Sequence, residues 1–338
     1  MAWAESDLVT AWRALGGRRD AAAWRFVSIG AAGGVRFEAG LKLPDGREAV
    51  VAVFPAAAGV TGRLPEGQGF DVVPLEADVR SGGGEAIALV RRPEGEIGIF
   101  GIMAVDVLRS VERMASRPVG ELRQIFIRRV QEWQDFMARG GRRPLTPEKQ
   151  VGLFGELTML KALCATDLGI AGAVAGWMGP RRAAQDFHVL AGAVEVKSTA
   201  ATGAFAAKIN SIEQLDAERA PLFLSALRFA EADDGRTLPE LVADVRLAAD
   251  SVGARQELEA SLIFSDYRDD HAPQYGRRLS LAQERCFEVT PAFPCLRRAT
   301  LSPAITSARY GMDLDRLDAP WVDRSTMFAM LGVARHGT

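Results

Sequence analysis

Ala184-Gln-Asp-Phe-His-Val-Leu-Ala-Gly-Ala-Val-Glu-Val-Lys-Ser-Thr199 sets two short apolar runs on either side of Gly192. That pattern predicts a β-hairpin with strands near 184–190 and 193–199, turning at Gly192. Side chains alternate along a strand, so Val194 and Val196 share one face and Glu195 and Lys197 the other. Asp186 lies nine residues before Glu195, and the hairpin brings it back beside Glu195 at its open end. Two carboxylates and one amine are thereby gathered from sixteen residues.

A Glu-X-Lys pair on an exposed strand is usually a solvated ion pair worth under about 1 kcal/mol. The apolar surroundings of this pair point instead to a central strand, where a charge needs a partner or an ion. Lys197 is also one of five lysines (Lys42, Lys149, Lys161, Lys197, Lys208) among 41 basic residues, so a compact ammonium stands where the chain ordinarily uses Arg. Two acids with waters and a phosphate are enough to hold Mg²⁺, and a bound cation lowers the pKa of its water.

Outward from the hairpin, residues 147–165 read as a helix with Thr146 as N-cap and Pro147 in the first turn. Glu156 sits on it beside the apolar stripe Leu153, Leu157, Leu160 and Cys164. A strand at 204–210, a helix at 211–218 and a strand at 221–229 follow, giving the order helix, three strands, helix, strand. Two further helices are expected at 238–251 and 254–264, the first opened by the capping box Thr237-Leu-Pro-Glu240. Strands near 284–289 and 307–315 complete this half.

Residues 34–100 read as five strands, the last being Glu96-Ile-Gly-Ile-Phe100, separated by the turn signals Pro44-Asp45-Gly46, Gly67-Gln-Gly69 and Ser81-Gly-Gly-Gly84. Helical spacing over 101–139 puts Leu122, Ile125, Phe126, Val130, Trp133 and Phe136 on one stripe. A Gly-, Pro- and Arg-rich stretch up to Pro147 reads as a linker. The expected domains are 1–140, antiparallel and β-rich and ending in helices, and 141–338, with its core at 147–229 and a helical and β extension.

The hairpin, the helix before it and the order of elements resemble the PD-(D/E)XK nuclease superfamily, and the flanking segments resemble an uncharacterised bacterial branch of it. The resemblance implies a restriction-endonuclease-like core: a mixed sheet flanked by helices in an α+β/α/β arrangement. Asp186 and Glu195 would ligate Mg²⁺, with Mn²⁺ as a substitute, and Glu156 would ligate or orient a second ion. Lys197 would orient the attacking water and stabilise phosphorane charge. Gln185 departs from the motif, replacing its Pro before Asp186. The implied activity is a Mg²⁺-dependent endonuclease acting on double-stranded DNA in restriction, phage defence or repair, as a homodimer or with a partner subunit. The alternative is a catalytically silent nuclease fold used for DNA binding or assembly.

Arg181 and Arg182, in Gly176-Trp-Met-Gly-Pro-Arg-Arg182, are candidates for phosphate contacts, and Trp177 either stacks on a base or packs in the core. Ser198, Lys208 and Gln214 are further substrate-contact candidates, although Ser211-Ile-Glu-Gln214 also has capping-box spacing. A net charge of −2 rules against coating nucleic acid by bulk electrostatics, so contacts must be local. Three cysteines without CxxC spacing and three scattered histidines provide neither a disulfide framework nor a zinc site. With no basic, apolar leader and no 18-residue apolar run, the expected location is cytoplasmic.

Overall fold

The chain divides into two compact units, Met1–Arg143 and Pro144–Thr338. The computed structural model describes residues 5–16, 24–55, 64–65, 69–75, 84–138, 143–181, 183–216, 220–249 and 251–334. Arg182, residues 67–68 and 81–83 of two turn signals, residues 139–142 of the linker and the end of the expected 211–218 helix lie outside the described residues. No helix among the described residues is long and apolar enough to cross a membrane.

The first unit runs α1 (Glu5–Leu15), β1 (Trp24–Ala32), β2 (Val35–Lys42), β3 (Arg47–Phe54), β4 (Phe70–Leu75), β5 (Glu85–Arg91), α2 (Ile97–Glu112) and α3 (Val119–Ala138). Its strands form one antiparallel sheet in the order β1-β2-β3-β5-β4. Phe54 of β3 meets Phe126 of α3 edge-on at 5.6 Å, and Trp12 of α1 donates to the Ala49 carbonyl of β3 at 2.8 Å. These contacts seat helices on the sheet. Ile97–Phe100, expected as the end of a strand, is the first turn of α2. The short alternation Glu-Ile-Gly-Ile fits either period, and the apolar run continuing to Val111 gives the helix a fully buried side.

The second unit runs α4 (Pro147–Cys164), α5 (Gly169–Gly176), β6 (Phe187–Val189), β7 (Gly192–Thr199), β8 (Ala206–Ile209), β9 (Leu222–Arg236), α6 (Leu238–Ala248), α7 (Val252–Phe264), β10 (Leu279–Glu288), β11 (Tyr310–Asp313) and α8 (Arg324–Met330). Four strands form a mixed sheet in the order β10-β9-β7-β6. β7 is central and runs parallel to β9, while the β6–β7 and β9–β10 pairs are antiparallel. Helices flank it, and the capping box of α6 forms with both of its hydrogen bonds.

Three local expectations change. The hairpin turns at Leu190-Ala191 with Leu190 at φ 51°, and Gly192 already belongs to β7. A Cβ at Gly192 would lie 2.5 Å from Leu331 Cδ2 and 2.6 Å from the Pro221 carbonyl, so this glycine allows close approach rather than a turn. β8 leaves the central sheet and pairs with β11, a partner about a hundred residues away that local pattern cannot specify. The expected 211–218 helix is, among the described residues, one 3₁₀ turn at Ile212–Gln214 without a Ser211 side-chain cap. Buried Ile212 and Leu215 pull that segment onto the core before an α-helical turn repeats.

α4 packs on β7 through Gly155, where a Cβ would sit 1.7 Å from Ser198 Oγ and 2.8 Å from Ser198 Cβ. Gly152, one turn earlier, has open space at the same position. Gly152→Ala is therefore expected to stabilise the protein by roughly 0.5–1 kcal/mol through helix propensity. Gly155→Ala is expected to destabilise it by about 2 kcal/mol, because the clash outweighs that gain. Thermal melts of both variants check the pair, and equal shifts would sink this account of the helix–strand contact.

Candidate functional site

Strand alternation sends Val194 and Val196 of β7 into the core beneath α4, with Leu153, Leu157 and Phe223. Glu195 and Lys197 take the opposite face, in register with Leu224 and Ala226 of β9, which belong to a second cluster with Phe205 and Leu215. Glu195 is fully buried, and its Oε1 lies 2.6 Å from Lys197 Nζ. Neither Glu195 oxygen receives a hydrogen bond of good geometry. Burial, then the nearby Asp186 charge, holds the Glu195 carboxyl well above the ordinary range.

Asp186 is placed by the hairpin register, in which Phe187 pairs with Val194. Its Oδ2 accepts from the Val196 N–H at 2.8 Å, and its carbonyl accepts from Met178 N at 2.7 Å and Gly179 N at 3.0 Å. The Trp177–Phe187 bridge continues that pairing. Burial raises the Asp186 carboxyl while Lys197 and the Val196 N–H oppose the rise.

Glu156 of α4 follows Gly155, the residue that brings the helix onto β7. Its Oε2 accepts from Trp177 Nε1 at 2.7 Å. Burial and then the Asp186 charge push its carboxyl up to about 8. The Gly179 Cβ position would lie 2.7 Å from Glu156 Oε2 and 2.9 Å from Asp186 Oδ1, so the two oxygens converge on Gly179. Only a residue without a side chain lets both approach so closely.

Lys197 Nζ donates to Gln214 Oε1 at 3.2 Å, and the same oxygen accepts from Asn210 N at 2.7 Å. Gln214 thus faces the site, and the capping-box geometry its spacing also allowed is not formed. Glu156, Asp186, Glu195, Lys197 and Gln214 are brought together. Ser198 is not: alternation turns its buried Oγ to Gly155 on the opposite face. Arg181 is engaged by Glu257 of α7, and Lys208 is exposed on β8, outside the four-stranded sheet. Trp177 is fully buried and stacked with Phe187 at 6.5 Å, so base stacking is excluded for it.

Two roles escaped sequence reading. Of the two readings given for Trp177, packing in the core holds, but its part as the donor to Glu156 was not foreseen, nor was Gly179, which lets both acids approach. The sequence signal was their adjacency, in Gly176-Trp-Met-Gly179, shortly before Asp186.

Carboxylate oxygens are hard donors suited to Mg²⁺ or Mn²⁺. The convergence of Glu156 and Asp186 oxygens on Gly179, with Glu195 Oε2 lacking a hydrogen-bond partner, fits such an ion. Among the described residues, however, no group of three or more His, Cys, Asp or Glu side chains is arranged to hold a metal ion. The acids stand as the pair Glu156 and Asp186, with Glu195 held by Lys197.

A family model described as "Putative PD-(D/E)XK family member (DUF4420)" matches residues 8–315. Comparisons with curated proteins and with solved structures gave no match. A match running through both structural units, over nearly the whole length, settles the family: the chain belongs to this family of PD-(D/E)XK proteins.

Proposed function

We propose that the second unit is a divalent-metal-dependent phosphodiesterase that cleaves DNA. The observation that carries this reading is the convergence of Glu156 Oε2 and Asp186 Oδ1 on Gly179 beside the Glu195–Lys197 pair. Asp186 and Glu195 would hold Mg²⁺, with Glu156 at its edge. The ion would supply an acidified water and charge neutralisation on the phosphoryl oxygen. Lys197 presents an ammonium at that edge, able to orient a water and to offset charge developing on phosphorus. Gln214 restrains the amine, and Trp177 restrains Glu156. The choice of DNA rests on family membership.

One site of this kind cuts one strand, so double-strand cleavage would require two copies or a partner subunit. A role in restriction, phage defence or repair belongs to the same proposal. Two observations favour a second reading, a silent binding or assembly subunit: Glu195 is already ion-paired, and among the described residues no group of three or more such side chains is arranged to hold a metal ion.

Incubation of purified protein with supercoiled and linear DNA separates the two readings. The expected result is nicking or linearisation with Mg²⁺ or Mn²⁺, abolished by EDTA. DNA binding without cleavage under every divalent ion would establish the silent subunit.

A further inference from the structure

We infer that Gln185 is a positioning residue for Lys197, acting through Gln214. Gln185 is nearly inaccessible, at 5% exposure, and its side chain crosses from the bend that precedes β6, a segment expected to be strand, to the 3₁₀ turn at Ile212–Gln214. There Nε2 donates to the Glu213 carbonyl at 2.7 Å and, more weakly, to the Gln214 carbonyl at 3.4 Å. The residue fixed by those bonds, Gln214, accepts from Lys197 Nζ at 3.2 Å. The amide next to Asp186 therefore ties down the backbone whose side chain restrains the amine.

The outer side of the same turn is tied by Arg298, whose guanidinium donates to Glu213 Oε1 at 2.7 Å and whose backbone N–H donates to Asp216 Oδ2 at 2.6 Å. Arg298 and Glu213 are both about half exposed, at 47% and 53%, and an ion pair in such surroundings contributes little. The interior tie is thus the specific one. A proline at position 185, as in the superfamily motif, has no side-chain donor, so this chain holds its lysine by a contact that the motif residue cannot make.

The inference rests on the proposed phosphodiesterase only for the work assigned to Lys197. Two measurements on the full chain test it, with Gln185→Leu, Gln214→Leu and the double variant, and with Gln185→Met as a second apolar replacement in case Leu perturbs folding. Five lysines make ¹³C-lysine NMR sparse enough to follow Lys197. Its side-chain order parameter is expected to fall equally in both single variants and no further in the double, while exposed Lys208 is unchanged. In DNA cleavage each variant, the double included, is expected to lose about 10-fold in kcat with KM within about twofold, because residues acting in series do not multiply.

An unchanged Lys197 signal in the folded Gln185 variants, or losses that multiply to about 100-fold in the double, would overturn the inference. Failure of the wild type to cut DNA would overturn the phosphodiesterase instead, leaving the NMR measurement to decide the Gln185 tie.

Discussion

Asp186→Asn is expected to lower kcat/KM for DNA cleavage by about 10³-fold, on the scale of losing one preorganised electrostatic contact, without lowering the melting temperature. Asn keeps the shape of the side chain and an oxygen able to accept from Val196 N–H, but removes a negative charge from beside Glu156 and Glu195. Loss of like-charge repulsion stabilises the fold while the ligand set is weakened. Lys197→Ala is expected to cost about 10²–10³-fold in the same assay, with the opposite effect on stability. It strips the ion-pair partner from fully buried Glu195, a change that costs about 3–5 kcal/mol where the stranded group stays charged, and less as it takes up a proton. Activity falls in both variants and the melts diverge. Cleavage by Asp186→Asn at the wild-type rate would remove Asp186 from the site, and a loss that merely tracks unfolding would make it structural.

The parts of this site that sequence made legible are those set by short-range geometry. Strand alternation alone placed Glu195 and Lys197 on one face, and the hairpin returned Asp186 to within reach of β7. Ser198, named as a contact candidate, falls one residue further along the same alternation and points to Gly155 on the opposite face. What stayed hidden depends on contacts between distant segments. β8 pairs with β11, Arg181 meets Glu257, and Gln185 spans to Glu213, none of which has a local signature. The turn at Ile212–Gln214 shows a related limit, since Ser-X-X-Gln spacing supports a cap only where a helix follows, and buried Ile212 and Leu215 prevent one. In the first unit, Ile97–Phe100 misled for the same reason: four residues cannot distinguish a strand from the opening of a buried helix.

The metal-free protein is expected to lose stability as pH rises from about 5 to 8.5, and Glu156→Gln is expected to remove much of that loss. Glu156 has an ordinary value of 4.5 that the fold pushes up to about 8, so between those limits the folded state keeps a proton that the unfolded state releases. Its stabilising contribution is complete below about 4.5 and disappears as pH climbs through 8. The slope is at most about 1.4 kcal/mol per pH unit for one group, several kcal/mol across the interval. Asp186 and Glu195 are raised as well, so they steepen the same side. Carboxylates held low by arginine, such as Asp106 beside Arg129 and Asp71 beside Arg92, act oppositely: burial resists their charge, but their partners win, and their contribution vanishes only on acidification. Thermal unfolding in EDTA from pH 5 to 9 should therefore peak on the acid side of neutrality. Adding Mg²⁺ at pH 8 should raise the melting temperature more in wild type than in Glu156→Gln, because a cation compensates the charges the fold otherwise suppresses. A wild-type profile that is flat or rises toward pH 8.5, or one that Glu156→Gln leaves unchanged, would mean that Glu156, Asp186 and Glu195 are not crowded enough to draw a metal.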